Sequence, residues 1–178
     1  MGARRWSLLL FAILALLTVP PAHAGNATVL PFLGFGDMAV DSTTEHVFIS
    51  SGVGGSSVAV LDFDGNLVKT ITGQQGATGL AVDETSGTLY VALSNVSQIS
   101  MIDTTTLNER SRVAPTGMSS PRSLVLAGGR LWIGYGCATG GAGSVALDGS
   151  DPHTYYTWSG CARFARYPGD PNRFAVIE

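Results

Sequence analysis

Two cysteines, the histidines His46 and His153 and a set of regularly placed aspartates are the side chains of this 178-residue chain whose types and spacing could do chemistry. Cys137 and Cys161 are the only cysteines. Both follow an export leader described below, and an even pair of thiols in an oxidising compartment predicts one disulfide. Closing a loop of about 25 residues, such a bridge would stabilise the fold by roughly 3 kcal/mol. The alternative is a metal-binding or nucleophilic thiol, which would call for a histidine partner, and none accompanies either cysteine in sequence. His46 and His153 stand in no H-x-x-x-H, H-E-x-x-H or triad-like context and read as surface residues in turns.

Asp41, Asp62, Asp83, Asp103 and Asp148 each close an apolar run. A calcium loop would need D-x-D-x-D-G with a terminal Glu, and the nearest approach is Asp62-Phe63-Asp64-Gly65-Asn66. At the first position after a strand, an aspartate more simply caps the backbone of the following turn. The run from Gly134 to Gly143 is glycine-rich, but no helix follows whose N-terminus could add to phosphate binding, so it reads as a flexible loop. Asn26-Ala27-Thr28 and Asn95-Val96-Ser97 match the glycosylation sequon, which matters only in a host that glycosylates. No catalytic residue, metal ligand or cofactor is assigned on these patterns.

The elements that must position these residues repeat about every 42 residues. An apolar run, a turn and a strand-like triplet recur in MAVDSTTEHVFIS from Met38, LAVDETSGTLYVA from Leu80 and LVLAGGRLWIG from Leu124, the run ending in Asp in the first two and the turn shortened from DETSGT to AGGR in the third. A second segment follows each pair: SVAVLDFDG from Ser57, QISMIDTTT from Gln98 and SVALDGSDP from Ser144. Fourth strands are expected at Leu67 to Thr72, Glu109 to Ala114 and Thr154 to Trp158. Four short strands per repeat of this length describe a β-propeller blade. Strands such as Leu124-Val125-Leu126 are apolar at consecutive positions, as expected of sheets covered on both faces. No helical pattern is visible beyond the leader.

The fold class expected is therefore all-β, a partial propeller of about three and a half four-stranded blades. Residues 35–73, 78–115 and 122–158 form the first three, and residues 162–178 open a fourth. Propellers close with about four to eight blades, so the chain is expected to be the N-terminal part of a longer protein, or else to self-associate through its open blade edge.

Residues 1–24 read as a secretory signal peptide. Arg4 and Arg5 precede an apolar stretch from Leu8 to Val19, and Ala22-His23-Ala24 supplies a small-residue cleavage site before Gly25. Twelve apolar residues fall short of the roughly 20 that span a bilayer, so no membrane span is expected after cleavage. The remaining chain, 25–178, carries all thirteen acidic residues against eight basic ones, a formal charge near −5. A mildly acidic surface without a basic stripe disfavours nucleic acid as a partner.

The segment GLAVDETSGTLYVALSNVSQISMIDTTT resembles the repeat of the YVTN/NHL-type secreted and surface β-propellers, with their D-x-x-x-G turn, "LYV" strand and "VSVID" strand. The similarity runs from about Gly34 to Glu178 and specifies a blade, not an activity. It implies an extracellular or cell-surface protein, in longer actinobacterial forms often followed by immunoglobulin-like repeats.

In a propeller, the loops entering the innermost strands and those joining second and third strands converge on one face around the axis. Arg122, Arg163 and Tyr135 are expected near that opening, with Gln74 and Gln75 on an entry loop. The two arginines could bind an anion or a carboxylate-bearing partner; the alternative is ordinary hydrogen bonding between blades. The function expected is a secreted binding or scaffold module for an extracellular protein or glycan. The alternative is a propeller enzyme, lyase or lactonase-like, whose active site needs further blades.

Overall fold

A computed structural model describes residues 28–158 and 160–177; the signal peptide expected at residues 1–24 and the sequon asparagine Asn26 lie outside the described residues. Strands β1 (Met38–Asp41), β2 (His46–Ser50), β3 (Ser57–Asp62) and β4 (Leu67–Thr72) form the first sheet. The second holds β5 (Ala77–Asp83), β6 (Thr88–Leu93), β7 (Gln98–Asp103) and β8 (Glu109–Val113). The third holds β9 (Pro121–Ala127), β10 (Arg130–Tyr135), β11 (Gly140–Ala146) and β12 (His153–Trp158). Finally, β13 (Arg163–Arg166) and β14 (Phe174–Ile177) pair as a two-stranded sheet. Every pairing is antiparallel between sequence neighbours, so each four-stranded sheet is a simple meander. The described chain is all-β, a partial propeller of three full blades and an opening fourth.

The consecutive apolar residues of the strands find a physical reason in β6. Side chains alternate across a strand, so Leu89, Val91 and Leu93 point one way and Tyr90 and Ala92 the other. The first set joins Phe48, Val58 and Val60 of the first blade, and the second joins Leu124, Leu131 and Ile133 of the third. Both faces of the middle blade are therefore core, and all six residues of β6 are buried. Each fully buried Val, Leu, Ile or Phe side chain contributes about 1.5–3 kcal/mol, so these two seams hold the blades together. The fourth sheet packs on the third through aromatic rings, with Phe174 4.8 Å from Trp132 and Tyr155 stacked on Trp132 at 4.9 Å.

Side chains add bonds between blades at a spacing of one repeat. Ser42 donates its backbone N–H and its hydroxyl to Glu84 Oε1, both at 2.8 Å, and Asn95 Nδ2 donates to the Val53 carbonyl at 2.9 Å. Within the blades, each of the three full sheets has a register shift between its third and fourth strands. Bulges of this kind increase right-handed twist, which a blade requires.

The recurrent aspartates cap their turns. Asp41 Oδ1 accepts the N–H groups of Thr43 and Thr44, Asp83 Oδ1 that of Thr85, and Asp103 Oδ1 those of Thr105 and Thr106. Asp62 and Asp148 do the same for Asn66 and Ser150. Four of the five are the last residue of a strand rather than the first after it.

The glycine-rich run differs from its expected form. Gly134 and Tyr135 complete β10 and Gly140 to Gly143 begin β11, leaving a loop of residues 136–139 alone. Glycine lacks the side chain that marks a strand in sequence, yet here its absence is what the packing needs. A Cβ on Gly143 would sit 2.5 Å from the Met118 sulfur, and one on Gly134 2.5 Å from the Ala162 carbonyl oxygen.

Candidate functional site

The inner strands β1, β5, β9 and β13 all begin at one end of the assembly, the upper end. The loops joining second to third strands reach the same end and are bonded to those entries. Gly52 N–H donates to the Ala77 carbonyl at 2.7 Å, Ser94 N–H to Gly76 at 3.1 Å, and Gly136 N–H to Ser119 and Ser120 at 3.1 Å each. The disulfide Cys137–Cys161, with Cα atoms 4.2 Å apart, links the loop after β10 to the entry of β13. It thereby fixes the approach to Arg163, two residues on.

A cleft of about 270 Å³ opens at this end, lined by Phe35, Asp37, Thr78, Arg122, Ser123 and Arg163 among others. Arg122 is half-buried, and its Nε is enclosed with no hydrogen-bond partner among the described residues. Arg163 is exposed. No carboxylate lies within ion-pairing distance of either guanidinium among the described residues. Phe35 is 70% exposed at the rim.

Asp37 lines the same cleft. Its Oδ1 accepts the Met38 N–H at 2.8 Å and its Oδ2 the Leu80 N–H at 2.9 Å. Burial pushes its carboxyl above the ordinary value, outweighing the two backbone donors and the positive charge of Arg163, which pull it down. Thr78 Oγ1 lies 3.2 Å from the Pro121 carbonyl, and Ser123 Oγ accepts the Phe164 N–H at 3.0 Å. The floor is thus held by bonds between blades, while both arginines line the cleft with no ion pair among the described residues.

Of the residues expected at this opening, the structure brings Arg122 and Arg163 together in the cleft. Tyr135 lies at the end of β10, buried in the seam between second and third blades. Gln74 is buried and donates Nε2 to Glu109 Oε2 at 2.8 Å; Gln75 Oε1 accepts from Arg112 Nη1 at 3.4 Å. Both glutamines are drawn to the outer strand β8, where Arg112 clamps Glu109 through two bonds of 2.8 Å and holds its carboxyl below the ordinary value. Asp37 and Phe35 were missed by sequence reasoning. The signal for Asp37 was available, because positions 37, 79 and 123 are equivalent in the repeat and carry Asp, Gly and Ser.

The lower end is different in kind. Its larger cleft, about 590 Å³, is lined by Ser42, Asp83, Glu84 and Arg130 among others. Glu84 is taken by Ser42, and Arg130 by Ser144 at 2.8 Å and by Asp151 at 2.8 Å. His46 Nδ1 lies 3.1 Å from the Thr104 carbonyl and His153 pairs with Asp151. Among the described residues, no group of three His, Cys, Asp or Glu side chains could hold a metal ion, and no helix is long and apolar enough to cross a membrane.

These sheets and their arrangement define a β-propeller. No family model matches the sequence, and no curated protein matches it. Solved structures do resemble it. A chain of hydrazine synthase from Kuenenia stuttgartiensis superposes with a TM-score of 0.64 at 16% identity, covering 82% of this chain and 42% of that one. A chain of a nidogen/laminin complex superposes with a TM-score of 0.63 at 17% identity, covering 81% of this chain and 64% of that one. The chain therefore spans less than two thirds of the length of either, and the likeness is one of fold.

Proposed function

We propose that this chain is a secreted or cell-surface propeller of the YVTN/NHL-like kind that binds an extracellular partner at its upper end, as one module of a longer protein. The observation that carries the reading is the upper cleft, where Arg122 and Arg163 lie together beside Asp37, neither guanidinium ion-paired among the described residues, on a floor held by bonds between blades. Rigid floors with unpaired charged groups suit recognition, because little order has to be gained on binding. The Cys137–Cys161 bridge is compatible with an oxidising compartment, and the leader read in residues 1–24 supplies the route there.

The test is saturable binding of the purified, labelled chain to intact cells of its source. The Arg122→Ala/Arg163→Ala double variant, with an unchanged circular dichroism spectrum, is expected to lose at least tenfold in affinity. Equal binding by the double variant would overturn the reading. Turnover of a substrate that depends on the same two arginines would overturn it in favour of an enzyme.

A further inference from the structure

We infer that the upper cleft takes a uronic acid residue of an acidic glycan, its carboxylate on Arg122 and Arg163 and its sugar ring on Phe35. The inference rests on the upper end being the binding face. Three observations fix the ligand's chemistry. Two guanidiniums with no ion pair among the described residues suit an anion, and arginine's planar fork matches a carboxylate bidentately. Asp37 adds a fixed negative charge on the same wall. That charge disfavours a dianion or a second carboxylate, while each of its oxygens, already accepting one backbone N–H, retains a lone pair for a ligand hydroxyl. A monoanion bearing hydroxyl groups satisfies both demands.

The third observation is Phe35, an aromatic ring 70% exposed at the rim of a cleft whose lining sets Val53, Ala162 and Phe164 beside its polar and charged groups. An exposed ring beside hydrogen-bonding groups offers a flat apolar platform for the C–H face of a sugar, with the polar groups left to its edge. The volume, about 270 Å³, lies just under the range of roughly 300–1,000 Å³ typical of drug-sized sites and suits a single ring.

The experiment is a titration of the isotopically labelled chain, followed by amide NMR shifts, with sodium D-glucuronate, D-glucose and sodium acetate. Glucuronate is expected to give saturable shifts confined to the neighbourhood of Phe35, Asp37, Thr78, Arg122 and Arg163, with at least tenfold tighter binding than glucose or acetate. Arg122→Ala and Arg163→Ala should each weaken it by tenfold or more, Phe35→Ala by severalfold, and Arg163→Lys should keep part of the affinity. Equal affinity for acetate would reduce the cleft to a bare anion site and overturn the proposal, as would equal affinity for glucose or the absence of saturable shifts. If glucuronate fails while the double arginine variant still loses binding to cells, only this inference falls. If cell binding survives in that variant, the upper-end reading falls with it.

Discussion

Asp37 Oδ2 accepts the backbone N–H of Leu80 at 2.9 Å, so a side chain at the entry of one blade's inner strand completes the backbone of the next. The equivalent position recurs one and two blades later with different chemistry. Ser123 Oγ accepts the Phe164 N–H at 3.0 Å, and between them Gly79 brings its bare backbone against Arg122 and Leu124. One structural task, closing the axis at the upper end, is met by an acid, a glycine and an alcohol in turn.

Replacing Asp37 by Ala strands the Leu80 N–H in a partly buried seam. An unmet buried donor costs about 1–3 kcal/mol, and the loss should appear as a lower urea midpoint with an unchanged slope. Asp37→Asn keeps an acceptor and should lose less. Equal losses in the two variants would show that the carboxylate's charge, not its acceptor, is what matters.

Gly79 is expected to tolerate no side chain. A Cβ there would lie 2.8 Å from the Arg122 oxygen, the Leu124 nitrogen and the Ser123 Cα, all backbone atoms that cannot move independently. Overpacking of this sort costs about 1–3 kcal/mol or more. Gly54 has nothing within 4 Å of its would-be Cβ, so Gly54→Ala serves as the control and should change the denaturation midpoint little.

The Cys137–Cys161 bridge spans 24 residues. Replacing both by Ser should destabilise the chain by about 2–4 kcal/mol, measured by denaturant unfolding under non-reducing conditions. Protease nicking should also increase selectively near Ala162 and Arg163, which the bridge tethers to the third blade. Nicking spread evenly along the chain would contradict that local role.

Asp103 sets an acid limit on the second blade. The Thr106 N–H and the Arg110 guanidinium hold its carboxyl down to about 2. A group depressed in the folded state gives stability that is present above its unfolded value, near 4, and lost as pH falls through the folded value. Stability of the wild type should therefore decline between about pH 4 and pH 2, and Asp103→Asn should flatten that decline. An identical pH profile for the variant would show that the carboxylate is not coupled to folding.

Blade architecture was legible because burial on both faces writes itself into consecutive apolar residues, as in Leu89-Tyr90-Val91, and because aspartates recur at the turns after Asp41, Asp62, Asp83, Asp103 and Asp148. The start of β11 was hidden, since Gly140 to Gly143 form a strand through what they lack. The cleft was legible in its arginines, which the repeat places at inner-strand entries. Gln74 and Tyr135 share that end in sequence register, but the Glu109–Arg112 clamp and the seam between blades take their side chains elsewhere. Such partners, far apart along the chain, leave no local pattern.

If Arg122 and Arg163 make the upper end a binding face, saturable binding to source cells will separate wild type from the Arg122→Ala/Arg163→Ala variant. A loss of at least tenfold with the fold intact is the predicted result. Undiminished binding by the folded double variant would contradict it.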